Sequence, residues 1–308
     1  MIARYILAGS LTTAMALSAG AQARDRERDR DRDRDYTSTV DTVLPLARNG
    51  GVEIRLHSGE VIVTGWARSE VRVLGTSERG RLSVEGSTSH IEIDAQRTGG
   101  RLGDTRVEVS VPEGTRLTIS GNSTDVTVRG VKGEVDVETA NGDVVIDNAA
   151  SRVSFEVMSG DVQISRVQGN LRGEAMSGEI DVTDVTGEVE VETVSGDLTL
   201  RNVRSRYVRA ETVSGSVEFD GRTESGGRYD FASHSGDVHL LLPATLGATI
   251  SVETFSGTID SEFPIELVPG QRHGKEYEFK VGDGGARIAA SSFSGGIYIQ
   301  RGTGRTQE

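Results

Sequence analysis

The chain has no cysteine, five prolines, one tryptophan and only 5% aromatic residues in 308 positions. Without cysteine there can be no disulfide, no thiolate metal site and no lipidated-cysteine anchor. With proline scarce and glycine at 39 residues, the turns must be made by glycine and short polar side chains. The acidic balance, a formal charge of −13, and the few aromatics exclude the basic tracks and stacking platforms that nucleic acid requires. Beyond the N-terminus no 3.6-residue apolar period is present. Val, Ile, Thr, Ser and Gly recur instead in short alternating runs, and the expected class is all-β.

Residues 1–23 read as a signal peptide. Arg4 starts it, Tyr5 to Ala19 is mostly apolar, and Ala21-Gln22-Ala23 supplies the small-x-small cleavage site. The apolar run is short and interrupted by Ser10, Thr12 and Thr13, which argues against a membrane anchor. Cleavage would leave no transmembrane span, so the expected location is outside the cytoplasm, in the periplasm or at the cell surface. Residues 24–39 follow as a charged, disordered linker. Its Arg24–Asp35 core alternates opposite charges and offers nothing apolar to bury.

A repeat dominates the rest. Asn141-Gly142-Asp143, Ser159-Gly160-Asp161, Ser177-Gly178-Glu179 and Ser195-Gly196-Asp197 place successive glycines eighteen residues apart, and the series continues at Gly215, Gly236, Gly257 and Gly295. The apolar positions share the register. Val135, Val153, Leu171 and Val189 form one set, Val144, Val162, Ile180 and Leu198 a second, and Ile146, Ile164, Val182 and Leu200 a third. A period of eighteen with two unlike turns predicts coils of two short strands, stacked so that like residues lie over like. The fold expected is a right-handed β-solenoid. An antiparallel meander would show a period of nine. Glycine in the first turn is expected to supply a positive φ, with Ser and Asp satisfying turn backbone.

Residues 40–120 lack the clean period and are expected to form a less regular β-rich N-terminal cap. The solenoid is expected over 121–301, with a hairpin insertion near 262–285 and a disordered tail at 302–308. The segments VEVSVPEGTRLTI (107–119) and VHLLLPATLGATI (238–250) resemble one another, a strand–Pro–turn–strand unit used twice.

The run GVEIRLHSGEVIVTGWARSEVRVLG (51–75) and the coils VETANGDVVI, FEVMSGDVQI, VETVSGDLTL and AETVSGSVEF resemble the DUF4097 family of bacterial β-strand-repeat proteins, also known as toastrack or adhesin-like domains. The resemblance covers about residues 40–300. It implies a β-solenoid-like domain outside the cytoplasmic membrane and brings no catalytic residues with it. Relatives are often associated with envelope-stress membrane proteins, from which this chain departs in having only a cleavable leader.

Candidate chemistry is sparse. Asp143, Asp161, Glu179 and Asp197 would stack at coil spacing, either as a calcium ladder or as turn-capping carboxylates facing water. The five histidines, His57, His90, His234, His239 and His273, lack zinc-protease spacing. The repeated serines are not nucleophile elbows, since no helix follows them. Glu190, Glu192 and Glu211 are the acids a polysaccharide-active enzyme would use, and they are equally ordinary solvated strand positions. The sequence therefore predicts an exported, non-catalytic structural or interaction protein of the envelope, without cofactor, whose partner is an envelope protein or a glycan. A glycan- or calcium-binding module is the first alternative and a polysaccharide-active enzyme the second.

Overall fold

The computed structural model describes residues 37–78, 80–97, 105–264 and 275–302. The signal peptide, the Arg24–Asp35 run, the centre of the expected hairpin insertion, His273 and all of the tail but Gly302 lie outside the described residues. Those described contain strands and turns and no helix, so the described fold is all-β.

The strands are β1 (Thr37–Pro45), β2 (Gly51–Trp66), β3 (Glu70–Glu78), β4 (Gly80–Gly86), β5 (His90–Arg97), β6 (Thr105–Pro112), β7 (Arg116–Arg129), β8 (Val135–Asn141), β9 (Val144–Ala149), β10 (Val153–Ser159) and β11 (Val162–Gln168). They continue as β12 (Leu171–Ser177), β13 (Ile180–Thr186), β14 (Val189–Ser195), β15 (Leu198–Ser214), β16 (Val217–Ser235), β17 (Val238–Pro243), β18 (Ala248–Thr254), β19 (Ile259–Ser261), β20 (Lys275–Val281), β21 (Ala286–Ser292) and β22 (Ile297–Gly302).

The eighteen-residue period becomes parallel pairing. Val153 of β10 pairs with Val135 on one side and Leu171 on the other, and Val162 of β11 lies between Val144 and Ile180. Each coil thus gives its first strand to one ladder and its second strand to another. The first ladder runs through β8, β10, β12, β14 and the C-terminal halves of β15 and β16. The second runs through β9, β11, β13 and their N-terminal halves. Alternation points one side of each strand inward. Val135, Val153, Leu171, Val144, Val162 and Ile180 are all buried in one continuous apolar core. Phe155 enters that core over Gly173 of the next coil, where a Cβ would lie 2.0 Å from the ring.

The two ends break sequence order. At the N-terminal end, β2 lies between the coil formed by β5 and β6 and the coil formed by β7. At the C-terminal end, β21 pairs with β16 and with β18, and β22 pairs with β17 and with β19. The coil 286–302 is therefore inserted beneath the coil 248–261. In both places the duplicated strand–Pro–turn–strand unit, β6–Pro112–β7 and β17–Pro243–β18, carries the chain across the inserted coil. Gly295 accordingly stacks between Gly236 and Gly257, out of chain order. The expected division at residue 120 falls inside β7, which runs unbroken from the β2 coil's neighbour into the repeat. The β2 coil itself stacks in register on β7, Gly59 opposite Thr124.

Antiparallel strands finish the ladders. β4 pairs with β5, β3 pairs with β6 and is itself edged by β1, and β20 covers β18. They occupy strand edges that would otherwise offer unpaired N–H and C=O groups.

The second corner holds a feature the sequence reading did not identify. Asn148, Arg166, Asp184 and Asn202, again eighteen apart, adopt positive φ of 58°, 55°, 59° and 53°. Asn and Asp tolerate this conformation, whereas arginine rarely adopts it. Beside the first two, the Asp147 carboxylate accepts a hydrogen bond from the Ser165 hydroxyl at 2.7 Å and pairs with Arg166. Burial pushes the Asp147 pKa up, but these two partners outweigh it and hold the group below the ordinary carboxylate value.

Candidate functional site

On the outer face of the first ladder each coil repeats the same short pattern: a glutamate, an inward residue, an exposed residue, then the Ser-Gly-acid turn. Parallel register turns this pattern into rows running along the stack. Glu138, Glu156, Glu174, Glu192 and Glu211 are successive partners across five coils. Two residues further along each strand the side chains are apolar and exposed: Met158 55%, Met176 57%, Val194 48% and Val213 48%. His234, Phe293 and Phe255 prolong this row. Asp143, Asp161, Glu179 and Asp197 form a third row on its far side, at the turn. An apolar stripe therefore lies between two rows of carboxylates.

The stripe floors a groove of about 750 Å³ that extends from Glu156 to Phe293. Its C-terminal end is aromatic. The His234 and Phe293 rings stack at 4.8 Å and 8°, and the Phe293 and Phe255 rings at 4.8 Å and 1°. That ring order follows the inserted coil, not the chain. Stacked in this way, the Phe293 ring spends both faces on its neighbours and turns its edge outward. Phe255, at the end of the stack, is 72% exposed.

Under the stripe, a row of buried hydroxyls ties coils together. Thr212 donates to the Gly196 carbonyl at 3.1 Å, Ser233 to Gly215 at 2.8 Å, Ser292 to Gly236 at 3.0 Å and Thr254 to Gly295 at 3.2 Å. Every one of these bonds reaches the coil below and satisfies a turn carbonyl.

The turn glycines are placed by the same stacking. Gly142, Gly160, Gly178, Gly196, Gly215 and Gly236 have φ between +128° and +153°. A Cβ on Gly196 would sit 1.9 Å from the Gly178 carbonyl oxygen. Gly257 and Gly295 lie outside that φ range, yet their Cβ positions would be 1.7 Å from the Gly295 oxygen and 2.1 Å from the Gly236 oxygen. Close approach of backbone, at all eight, leaves no room for a side chain.

The acidic turn residues bond to backbone across coils. Asp143 accepts the Asp161 N–H at 2.9 Å, Asp161 the Glu179 N–H at 2.9 Å, and Asp197 the Ser216 N–H at 2.7 Å. One carboxylate oxygen of each aspartate is thereby committed to the corner. Among the described residues no group of three or more Asp, Glu or His side chains could hold a metal ion.

The three glutamates singled out for glycan chemistry are divided. Glu192 and Glu211 border the groove, with Arg209 between them at 3.3 and 2.9 Å. Glu211 foremost, with Glu192, raises the Arg209 pKa against the opposing effect of burial. Glu190 lies one row away in a second concavity with Arg152 and Tyr207, 3.7 Å from Arg172. The histidines are scattered: His90 lies 3.7 Å from Glu53, His239 stacks on Tyr298 at 4.8 Å, and His234 joins the stripe. The stripe itself escaped the sequence reading. Its signal was present as an apolar residue at an outward position, coil after coil, between Thr, Val or Ala and the turn serine.

No helix of the described residues is long and apolar enough to cross a membrane. No curated protein matches the chain. Among solved structures, a protein described as a "putative cell adhesion protein" from Clostridium sporogenes ATCC 15579 is 9% identical, with TM-score 0.19, over 86% of this chain and 100% of that one. A "putative adhesin" from Bacteroides fragilis NCTC 9343 is 10% identical, with TM-score 0.37, over 85% of this chain and 97% of that one. The Toastrack DUF4097 family model matches residues 53–300, which takes in every coil of the stack from β2 to β22. The chain belongs to the Toastrack DUF4097 family.

Proposed function

We propose that this protein is an exported, non-catalytic interaction protein of the cell envelope, of adhesin type, whose body is a right-handed β-solenoid. The observation that carries this reading is the exposed apolar row on the outer face of the first ladder. A row of at least four apolar side chains, each about half exposed, has a cost in water that burial against a partner removes. Its position also supports binding. Met158, Met176, Val194 and Val213 lie on strands paired on both sides, so a partner would meet a preformed surface there. The leader-like residues 1–23 support export to the periplasm or cell surface. Glu192 and Glu211 are held by Arg209, an arrangement that suits a structured polar border better than a free catalytic acid.

The test is site-specific photo-crosslinking in the native envelope. A photoreactive residue at Met176, on the stripe, should capture a partner. The same residue at Gln163, an outward position on the second ladder, should not. Equal capture from both positions, or none from Met176, would remove the stripe as the binding face.

A further inference from the structure

We propose that the partner seated on the stripe is a basic amphipathic α-helix of another protein. This rests on the reading of the face given above and adds the chemistry of its occupant. Three observations lead to it: what the face presents, how it is spaced and what it repels.

The face presents an apolar strip with Glu156, Glu174 and Glu192 along the groove on one side, the last of them paired with Arg209, and the turn acids Asp161, Glu179 and Asp197 beyond it at the corner, outside the groove. A ligand that covers the strip meets the glutamate row along its length. Electrostatic complementarity then requires Lys or Arg on at least that flank of its apolar surface. An amphipathic helix with basic residues beside its apolar stripe meets that requirement.

The spacing agrees. Members of the row recur once per coil, about 4.8 Å apart, close to the 5.4 Å rise of one helical turn and well short of the about 6.6 Å between like-facing residues of an extended strand. From Met158 to Phe255 the row is about 29 Å long, the length of a helix of about 20 residues. Two of its members are methionines, whose unbranched side chains adapt to a ligand's contour.

Other occupants fit less well. A second copy of this face would bring carboxylate rows against carboxylate rows. Anionic lipid meets the same repulsion. A sugar ring seeks an aromatic face, and the His234–Phe293–Phe255 stack leaves only the outer face of Phe255, at the very end of the row, for one. The chain's own Arg24–Asp35 run sets an acid beside every arginine and has no apolar residue for the strip.

The probe is a fluorescent, about 20-residue Leu/Lys peptide patterned as an amphipathic helix, titrated against the purified chain by anisotropy. Two comparison peptides accompany it, one with the same composition in scrambled order and one with Glu in place of Lys. The patterned basic peptide should bind at least about tenfold more tightly than the scrambled one, and the acidic peptide should not bind. The pairs Glu156→Lys with Glu174→Lys, and Met176→Ser with Val194→Ser, should each weaken binding at least about tenfold. These side chains are exposed or partly exposed, so thermal melts of both variants should stay close to the parent's. Equal affinity for patterned and scrambled peptides, tighter binding of the acidic peptide, or indifference to both pairs would overturn the proposal. Crosslinks from Met176 to a glycan, to lipid or to an acidic protein would overturn it too, while leaving the binding face itself standing.

Discussion

Glycine does two separable jobs in the Ser-Gly-acid turn, and the structure provides positions at which to weigh them. At Gly196 a side chain would meet both a φ of +148° and a carbonyl oxygen 1.9 Å away. At Gly257 the φ penalty is absent and the close approach remains. At Gly226 the φ is +77° and nothing lies within 4 Å of the added atom. Gly226→Ala should therefore cost about 1 kcal/mol, the ordinary left-handed penalty. Gly257→Ala should cost more than Gly226→Ala, and Gly196→Val most of all, at least about 3 kcal/mol. Urea unfolding of the three variants checks the ranking. If Gly257→Ala is as mild as Gly226→Ala, carbonyl stacking is not what selects glycine there. The first of these jobs was legible in the sequence, because a Gly flanked by Ser and Asp marks a bend. The second was not, because the obstructing oxygen belongs to another coil.

Coils are built from the same local pattern wherever they occur, so nothing within a coil states which coil it will lie against. Residues 286–302 repeat the alternation of residues 228–243 and 248–261 and pair with both. What places them between the two is the chain path: the Pro243 turn sends β18 past one vacant level, and β20, antiparallel on β18, brings the chain back to fill it. The β6–Pro112–β7 unit makes the same step around β2 at the other end. The absence of native cysteine allows a direct test. Asp230 lies opposite Ala289, whose other neighbour is Ser251. The pair Asp230→Cys with Ala289→Cys should form a disulfide under mild oxidation. The pair Asp230→Cys with Ser251→Cys, two strand spacings apart, should remain reduced. The opposite result would restore stacking in chain order. The resemblance between the two Pro-containing segments was visible in the sequence, but its purpose was not, since stepping over a coil has meaning only once the coils are stacked.

The molecule as a whole is close to one-dimensional through its middle, where each coil contacts the coils above and below. Removing an entire period should therefore shorten it without unfolding it. Deletion of residues 180–197 joins Glu179 to Leu198, keeps Phe155 over Gly173 and brings Ile164 opposite Leu200, preserving apolar-on-apolar register in the second ladder. The product should unfold cooperatively with a lower melting temperature and an unchanged β-type circular dichroism spectrum. Deletion of residues 180–188, half a period, would set first-ladder strands against second-ladder strands and should yield no cooperative transition. Comparable melts for the two deletions would mean that the stack tolerates loss of register. The inserted coils and antiparallel strands make the ends less modular than the middle, so the same experiment applied to residues 286–302 should unfold the C-terminal end.

Much of this protein follows from its sequence taken alone. The period of eighteen, the alternation within each half-period and the glycine at each first turn dictate an all-β chain of two-strand coils, because identical side chains can be buried together only by lying over one another. The family too was readable from those coils. Three things waited for the tertiary structure. Coil order at the ends depended on where two Pro turns sent the chain. The positive φ at Arg166 depended on a corner shared with its neighbours. The proposed binding face depended on register: Met158, Met176, Val194 and Val213 are isolated exposed residues in the sequence, and parallel stacking makes them a single surface by bringing positions eighteen or nineteen apart to within one strand spacing.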